Sequence, residues 1–131
     1  MGAKLARPDA NVVILYGDGS LGYSLMEFDT FARHKIPVTA IIGNDACWSQ
    51  IARDQVKELG SDVACRLEYT SYEQAVVPLG ANGYKVDGTN EKELTKIIEE
   101  AISKTKGENG KPALVNCLIG KSSFREGSLS V

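Results

Sequence analysis

The feature that most constrains this chain is an apolar run, Val12-Val13-Ile14-Leu15-Tyr16, that empties directly into Gly17-Asp18-Gly19-Ser20. An unbroken apolar run of strand length reads as a strand buried on both faces. Glycines on either side of an acid then end the strand in a turn. Past the turn, Leu21, Leu25, Phe28 and Ala32 recur at three- and four-residue spacing, which predicts a helix to about His34. Strand, glycine turn and helix in that order open an α/β sheet, the architecture that gathers ligands at the C-terminal ends of its strands.

The remaining segments continue the alternation. Met1–Arg7 reads as the tail of a helix stopped by Pro8-Asp9, and Pro37 opens a second buried strand over Val38–Gly43. A helical stretch falls in Gln50–Leu59. Ser71-Tyr72-Glu73-Gln74 has the form of a capping box, predicting a helix to about Leu79. Gly83–Val86 is a short strand candidate. Asn90 then caps a helix whose inner face carries Leu94, Ile97, Ile98, Ala101 and Ile102, and Ala113–Ile119 closes the chain's core as a buried strand. The whole predicts an open, mostly parallel α/β sheet with helices on both faces. A chain of 131 residues buries one such core and not two.

Composition removes several function classes. A formal charge of −2 with scattered Lys and Arg gives no basic stripe for nucleic acid. No apolar run approaches the ~20 residues that cross a bilayer, and the N-terminus has no signal-peptide core, so this piece is expected to be soluble. Cys47, Cys65 and Cys117 are odd in number and lack CxxC spacing, which predicts reduced thiols rather than a disulfide framework or a zinc site. The one histidine, His34, sits between Arg33 and Lys35 where a helix should end. A cation suits that end of a helix, so His34 reads as structural.

Gly17-Asp18-Gly19-Ser20-Leu21-Gly22 matches the G-x-G-x-x-G of dinucleotide folds, and Asp45 falls near the ribose-binding acid expected about 20 residues on. The chemistry opposes that reading. A dinucleotide fold holds its pyrophosphate on helix N–H groups without metal. Here Asp18 would set a carboxylate beside that phosphate, and two unit charges about 4 Å apart repel by about 4 kcal/mol at an effective dielectric of 20. A helix terminus returns only about 0.3–1 kcal/mol, or up to 2 at best. An acid there makes sense when a divalent cation bridges it to the phosphates. Magnesium takes oxygen ligands, commonly one or two carboxylates with substrate phosphates. Asp45, leaving the next strand, can supply the second carboxylate, because adjacent strands lie about 4.8 Å apart.

Gly17-Asp18-Gly19 followed by Asn44-Asp45 resembles the GDG…NN motif of thiamine-diphosphate enzymes. The segments Glu27–Val38, Gly43–Ile51, Arg53–Val56, Leu59–Ser61 and Phe124–Ser128 are similar to the animal acetolactate-synthase-like group of that family. The resemblance implies a C-terminal diphosphate-binding domain over residues 1–131, truncated at its N-terminal side. By position it implies magnesium held by Asp18, Asp45 and the Cys47 carbonyl. Gly17, Gly19, Ser20, Asn44 and Trp48 would contact thiamine diphosphate, with Gln50 and Ile51 facing the substrate. Asp45 departs from the family's second Asn and keeps an oxygen ligand with added charge. Trp48 reads equally well as a packing residue against the loop, and Gln50 as a solvated helix residue.

Further implications come from the same resemblance. The activating glutamate belongs to a separate N-terminal pyrimidine-binding domain of a neighbouring subunit, so no catalytic residue is expected here and the chain alone should be inactive. The parent would be a homodimer or homotetramer, intracellular, with an endoplasmic-reticulum membrane anchor and a vestigial FAD left open. Its activity would be cleavage of a 2-hydroxyacyl-CoA to formyl-CoA and a shortened aldehyde. The alternatives are an acetolactate-synthase-type carboligase acting on pyruvate, a nicotinamide-dependent oxidoreductase domain, and a non-catalytic module with an acidic magnesium pocket.

Overall fold

The computed structural model describes residues 1–121, and the similarity at Phe124–Ser128 lies outside them. A short helix α1 (Gly2–Ala6) leads to the strand before the glycine turn, β1 (Val13–Gly17). The second strand, β2 (Thr39–Asn44), follows Pro37 as its sequence predicts. Two more strands, β3 (Asn82–Val86) and β4 (Ala113–Leu118), complete a sheet of order β1-β2-β4-β3 in which every pairing is parallel. A parallel sheet needs crossovers, and the helices supply them.

Those helices cover both faces. Residues 21–34 form α2 (Asp18–Gly22) and α3 (Glu27–Arg33) rather than one continuous helix. Gly22, a poor helix former, ends the first piece, and a turn over 23–26 re-aims the second. Leu21, Phe28 and Phe31 still reach the core, packing with Ala40, Ile42, Val76 and Leu114 on one face of the sheet. A helix α4 (Ser49–Leu59) follows β2 and stops at Gly60, whose φ of 68° is the left-handed end that glycine adopts without strain. The last helix, α6 (Leu94–Lys104), covers the other face with Ala101 and Ile97 against Val86, Ala113 and Val115.

Four local expectations are corrected. Strand β1 is not buried on both faces: it lies at the sheet's edge, and Val13 and Leu15 are 42% and 77% exposed. Helix α5 (Tyr72–Ala75) ends well before Leu79, since Pro78 disfavours helical backbone in the residue ahead of it. The capping box does not form either, because Ser71 makes no side-chain cap and Glu73 turns into the core. Asn90 likewise caps nothing with its side chain. It accepts from the Asp87 N–H and donates to the Lys85 carbonyl, and a 3₁₀ turn, Glu91–Glu93, leads into α6 with Leu94 exposed.

Candidate functional site

Register brings the acids together. Gly17 of β1 partners Gly43 of β2, so the two strands release Asp18 and Asn44-Asp45 side by side at the C-terminal edge of the sheet. Asp18 is 2% exposed, and its Oδ2 accepts the Cys47 N–H at 3.1 Å. Burial pushes its carboxyl above the usual carboxylate range, and the neighbouring charge of Asp45 pushes the same way, against the amides of Gly19 and Cys47. Asp45 is half-buried and accepts a short hydrogen bond from the Ser49 hydroxyl. No salt bridge among the described residues includes either acid.

A buried carboxyl held above its usual range by burial and by a neighbouring carboxylate marks a place for a cation. The donor set fits magnesium: carboxylate oxygens, with the Cys47 carbonyl on the residue whose N–H anchors Asp18. No group of three or more His, Cys, Asp or Glu side chains capable of holding a metal occurs among the described residues. The site therefore suits an ion that also takes phosphate and water oxygens, rather than one caged by protein alone. The three cysteines are free thiols. Burial pushes the Cys117 thiol up, which makes it less reactive.

The glycine turn is shaped by Trp48. A Cβ on Gly19 would lie 2.6 Å from the indole Cδ2, so the ring can rest on the turn only if that residue is glycine. The same indole meets Tyr23 edge-on at 5.5 Å. Gly17 and Gly22, in contrast, have nothing within 4 Å of a built Cβ. In a dinucleotide fingerprint the third glycine permits close helix–strand packing. Gly22 has no such packing to permit, so the pattern match lacks its physical reason.

Other expected residues fall around this centre. Ser20 is exposed in the first turn of α2. Gln50 and Ile51 lie in the first turn of α4, half-buried and 52% exposed. Asn44 sits at the C-terminal end of β2. It is fully buried, its amide donates to the Asn116 Oδ1 and the Thr70 carbonyl, and its own Oδ1 accepts the Ala46 N–H. Its side chain thus shapes the loop from within.

The sequence reading missed Ser49, Glu73 and Asn116. Asn116 carried a signal, being an amide in the middle of an apolar strand run, where a polar group must find partners. A cavity of about 280 Å³ opens beside Asp45 and Cys47, lined also by Arg66, Glu68, Tyr69 and Lys121. A larger one, about 730 Å³, lies at the opposite end of the strands among Lys4, Pro8, Lys35, Pro37 and Lys106, away from the acids.

Comparison with known proteins shows the family. The family described as thiamine pyrophosphate enzyme, C-terminal TPP binding domain, matches residues 1–117. "2-Hydroxyacyl-CoA lyase 2" of Homo sapiens is 53% identical over 131 residues, covering 100% of this chain and 20% of that protein. The Danio rerio protein of the same name is 55% identical, also over the full chain and 21% of its own length. A "Probable acetolactate synthase" of Mycobacterium bovis is 37% identical over 123 residues, 93% of this chain and 21% of that protein. The chain thus spans about a fifth of the length of these relatives. Among solved structures, a Rhodococcus jostii RHA1 thiamine diphosphate-dependent 4-hydroxybenzoylformate decarboxylase superposes with a TM-score of 0.80 at 24% identity, over 92% of this chain and 22% of that one. At that identity the likeness speaks for the fold.

Proposed function

Since this chain belongs to the thiamine pyrophosphate enzymes and matches their C-terminal binding domain, we propose that it holds the cofactor's diphosphate through magnesium on Asp18, Asp45 and the Cys47 carbonyl. The observation that carries the reading is the pair of neighbouring carboxylates where β1 and β2 end, neither in a salt bridge among the described residues. Asp18 is held in place by the Cys47 amide, and Asp45 by Ser49. Ser20, the exposed residue in the first turn of α2, carries a backbone N–H with no intrahelical acceptor, and this suits a phosphate oxygen.

When bound, the cofactor supplies the carbon nucleophile and the electron sink for breaking a carbon–carbon bond. This chain's residues do the holding. Asp18 and Asp45 would hold the cation, and Trp48 packs against the glycine turn at Gly19. Gln50 and Ile51, in the first turn of α4 just after Trp48, would face the substrate. The activity of the whole protein is proposed as cleavage of a 2-hydroxyacyl-CoA, supported by the names of relatives above 50% identity over the full chain. Completion of the site by an N-terminal domain of a neighbouring subunit, in a homodimer or homotetramer, belongs to the same proposal. With the activating group assigned to that N-terminal domain, the chain alone should bind without turning over.

A carboligase acting on pyruvate is the second reading, favoured by the acetolactate synthase relative at 37% identity. Supplying the full-length protein with each substrate separates the two, because acetolactate formed from pyruvate alone rules out the lyase assignment. The binding proposal is tested by an amide-resolved NMR titration of this chain with thiamine diphosphate, with and without magnesium, and NADH as control. Magnesium-dependent shifts at Gly19, Ser20 and 44–47 support it. Shifts with NADH that ignore EDTA, and none with thiamine diphosphate, overturn it.

A further inference from the structure

The loop that carries Asp45 and Cys47 turns through a strained residue. Ala46 has a φ of 54°, in the left-handed region that side chains other than glycine rarely adopt. Such a conformation persists only where its surroundings over-determine it. On one side the loop is pinned to residues 65–67, where the Ala46 carbonyl accepts the Leu67 N–H and the Trp48 N–H donates to the Cys65 carbonyl, both at 2.8 Å. On the other the restraint is Asn44, whose Oδ1 accepts the Ala46 N–H at 3.2 Å and closes a turn over the loop. That turn directs the next N–H, on Cys47, onto Asp18.

Asn44 is itself held. Its amide donates to the Asn116 Oδ1 at 3.2 Å and to the Thr70 carbonyl at 3.3 Å. Asn116, on the neighbouring strand β4, donates to the same Thr70 carbonyl at 3.1 Å and to the Glu73 Oε2 at 2.7 Å. Asn44 and Asn116 have no exposed surface and Glu73 is 7% exposed, so water offers little substitute for a lost partner. The orientation of one amide dictates the next. Glu73 accepts only from the NH₂ of Asn116, which turns its Oδ1 toward Asn44, which in turn sends the Asn44 Oδ1 to Ala46. Glu73 reaches this position because β3 passes α5 so closely that a Cβ on Gly83 would fall 1.8 Å from the Glu73 carbonyl.

We propose that Glu73 is a positioning residue which, through Asn116 and Asn44, holds the 45–47 loop in its metal-binding form. It touches neither cation nor cofactor and acts only through the loop. The metal part of this inference rests on the magnesium site proposed above, whereas the loop part does not.

The test separates the two. In this chain without metal, amide hydrogen exchange at Ala46 and Cys47 reads the loop, and exchange at Ile42 and Val115 reads the sheet core. Glu73→Leu and Asn116→Ala should each speed exchange at Ala46 and Cys47 by about tenfold or more while the core amides change far less. Glu73→Gln, which keeps an acceptor oxygen, should restore protection close to that of the native chain. Magnesium titrations with thiamine diphosphate, followed by the fluorescence of the one tryptophan, Trp48, should show about tenfold weaker binding for Leu and Ala and near-native binding for Gln. Unchanged exchange at Ala46 and Cys47 overturns the proposal whatever magnesium does, and so does equal loss across the core. If Leu or Ala unfolds the chain, Glu73→Gln still decides: unprotected Ala46 and Cys47 amides in a folded Gln variant refute the relay. A native chain that ignores magnesium defeats the functional reading alone, and exchange continues to judge the loop.

Discussion

At the residue scale the site depends on two small choices, a glycine under an indole and an acid beside an acid. Gly19→Ala would push a methyl into Trp48 at 2.6 Å, against the flat centre of the ring rather than a flexible end. Crowding of that kind costs about 1–3 kcal/mol. We expect a lower thermal midpoint together with shifted Trp48 emission, and an unshifted spectrum would show that the indole does not rest on the turn. Asp18→Asn has the opposite sign in the absence of metal. It removes a buried charge facing Asp45 while an amide oxygen can still accept from Cys47, so the metal-free chain should melt higher. Stabilisation by magnesium plus thiamine diphosphate should vanish in the same variant. A melting curve for native and Asn forms, each with EDTA and with both ligands, checks both halves. These residues were legible in the sequence, since Asp18 between glycines has few structural uses. The role of Asn44 was not, because a motif gives identity and spacing but not the direction in which an amide points.

At the scale of elements, the strands were read closely and the connections poorly. Hydrophobic runs mark β2 and β4 because both are interior to the sheet, whereas caps and turns depend on partners that arrive from elsewhere in the chain. Ser71-x-x-Gln74 has the letters of a capping box, yet burial of Glu73 against Asn116 wins over local capping. The β3–α6 connection shows a similar substitution. Asp87 accepts from the Thr89 hydroxyl at 2.6 Å and its N–H at 2.9 Å, with the Lys85 ammonium at 3.0 Å, and these hold its carboxyl down at about 2. A carboxyl depressed below its unfolded value of 3.8 adds stability that is fully present above that value and is lost as pH falls through about 2. Asp87→Asn should therefore flatten the acid limb of the stability curve between about pH 4 and 2 and leave neutral pH nearly free of further pH dependence. Urea unfolding of both forms across that window is the check, and identical acid limbs would show that the turn does not distinguish the charged carboxyl.

The whole molecule decides what no local reading of β1 can. Val12–Tyr16 looks like β2 in the sequence, and both runs are apolar without alternation. Their burial diverges because of position in the sheet: β2 lies between β1 and β4, while among the described residues β1 has a neighbour on one side only. The faces differ as well. Ile14 and Tyr16 pack onto the core that α3 and α5 help to form, but α6 packs on β3 and β4 and leaves Leu15 uncovered on the other side. The prediction follows from comparing two leucines in one sheet. Leu114 is fully buried, so Leu114→Ala should cost about 2–5 kcal/mol from lost transfer and the cavity left behind. Leu15, 77% exposed, should cost within about 0.5 kcal/mol when changed to Ala. An open strand edge with exposed apolar side chains also invites pairing between copies, so Leu15→Lys should reduce concentration-dependent association of this chain. Equilibrium urea unfolding at one low concentration gives the two stabilities, and sedimentation over a concentration series gives the association. Equal costs for Leu15→Ala and Leu114→Ala would mean that β1 is covered on both faces in solution, and the apolar run would then have described the strand better than its place at the sheet's edge.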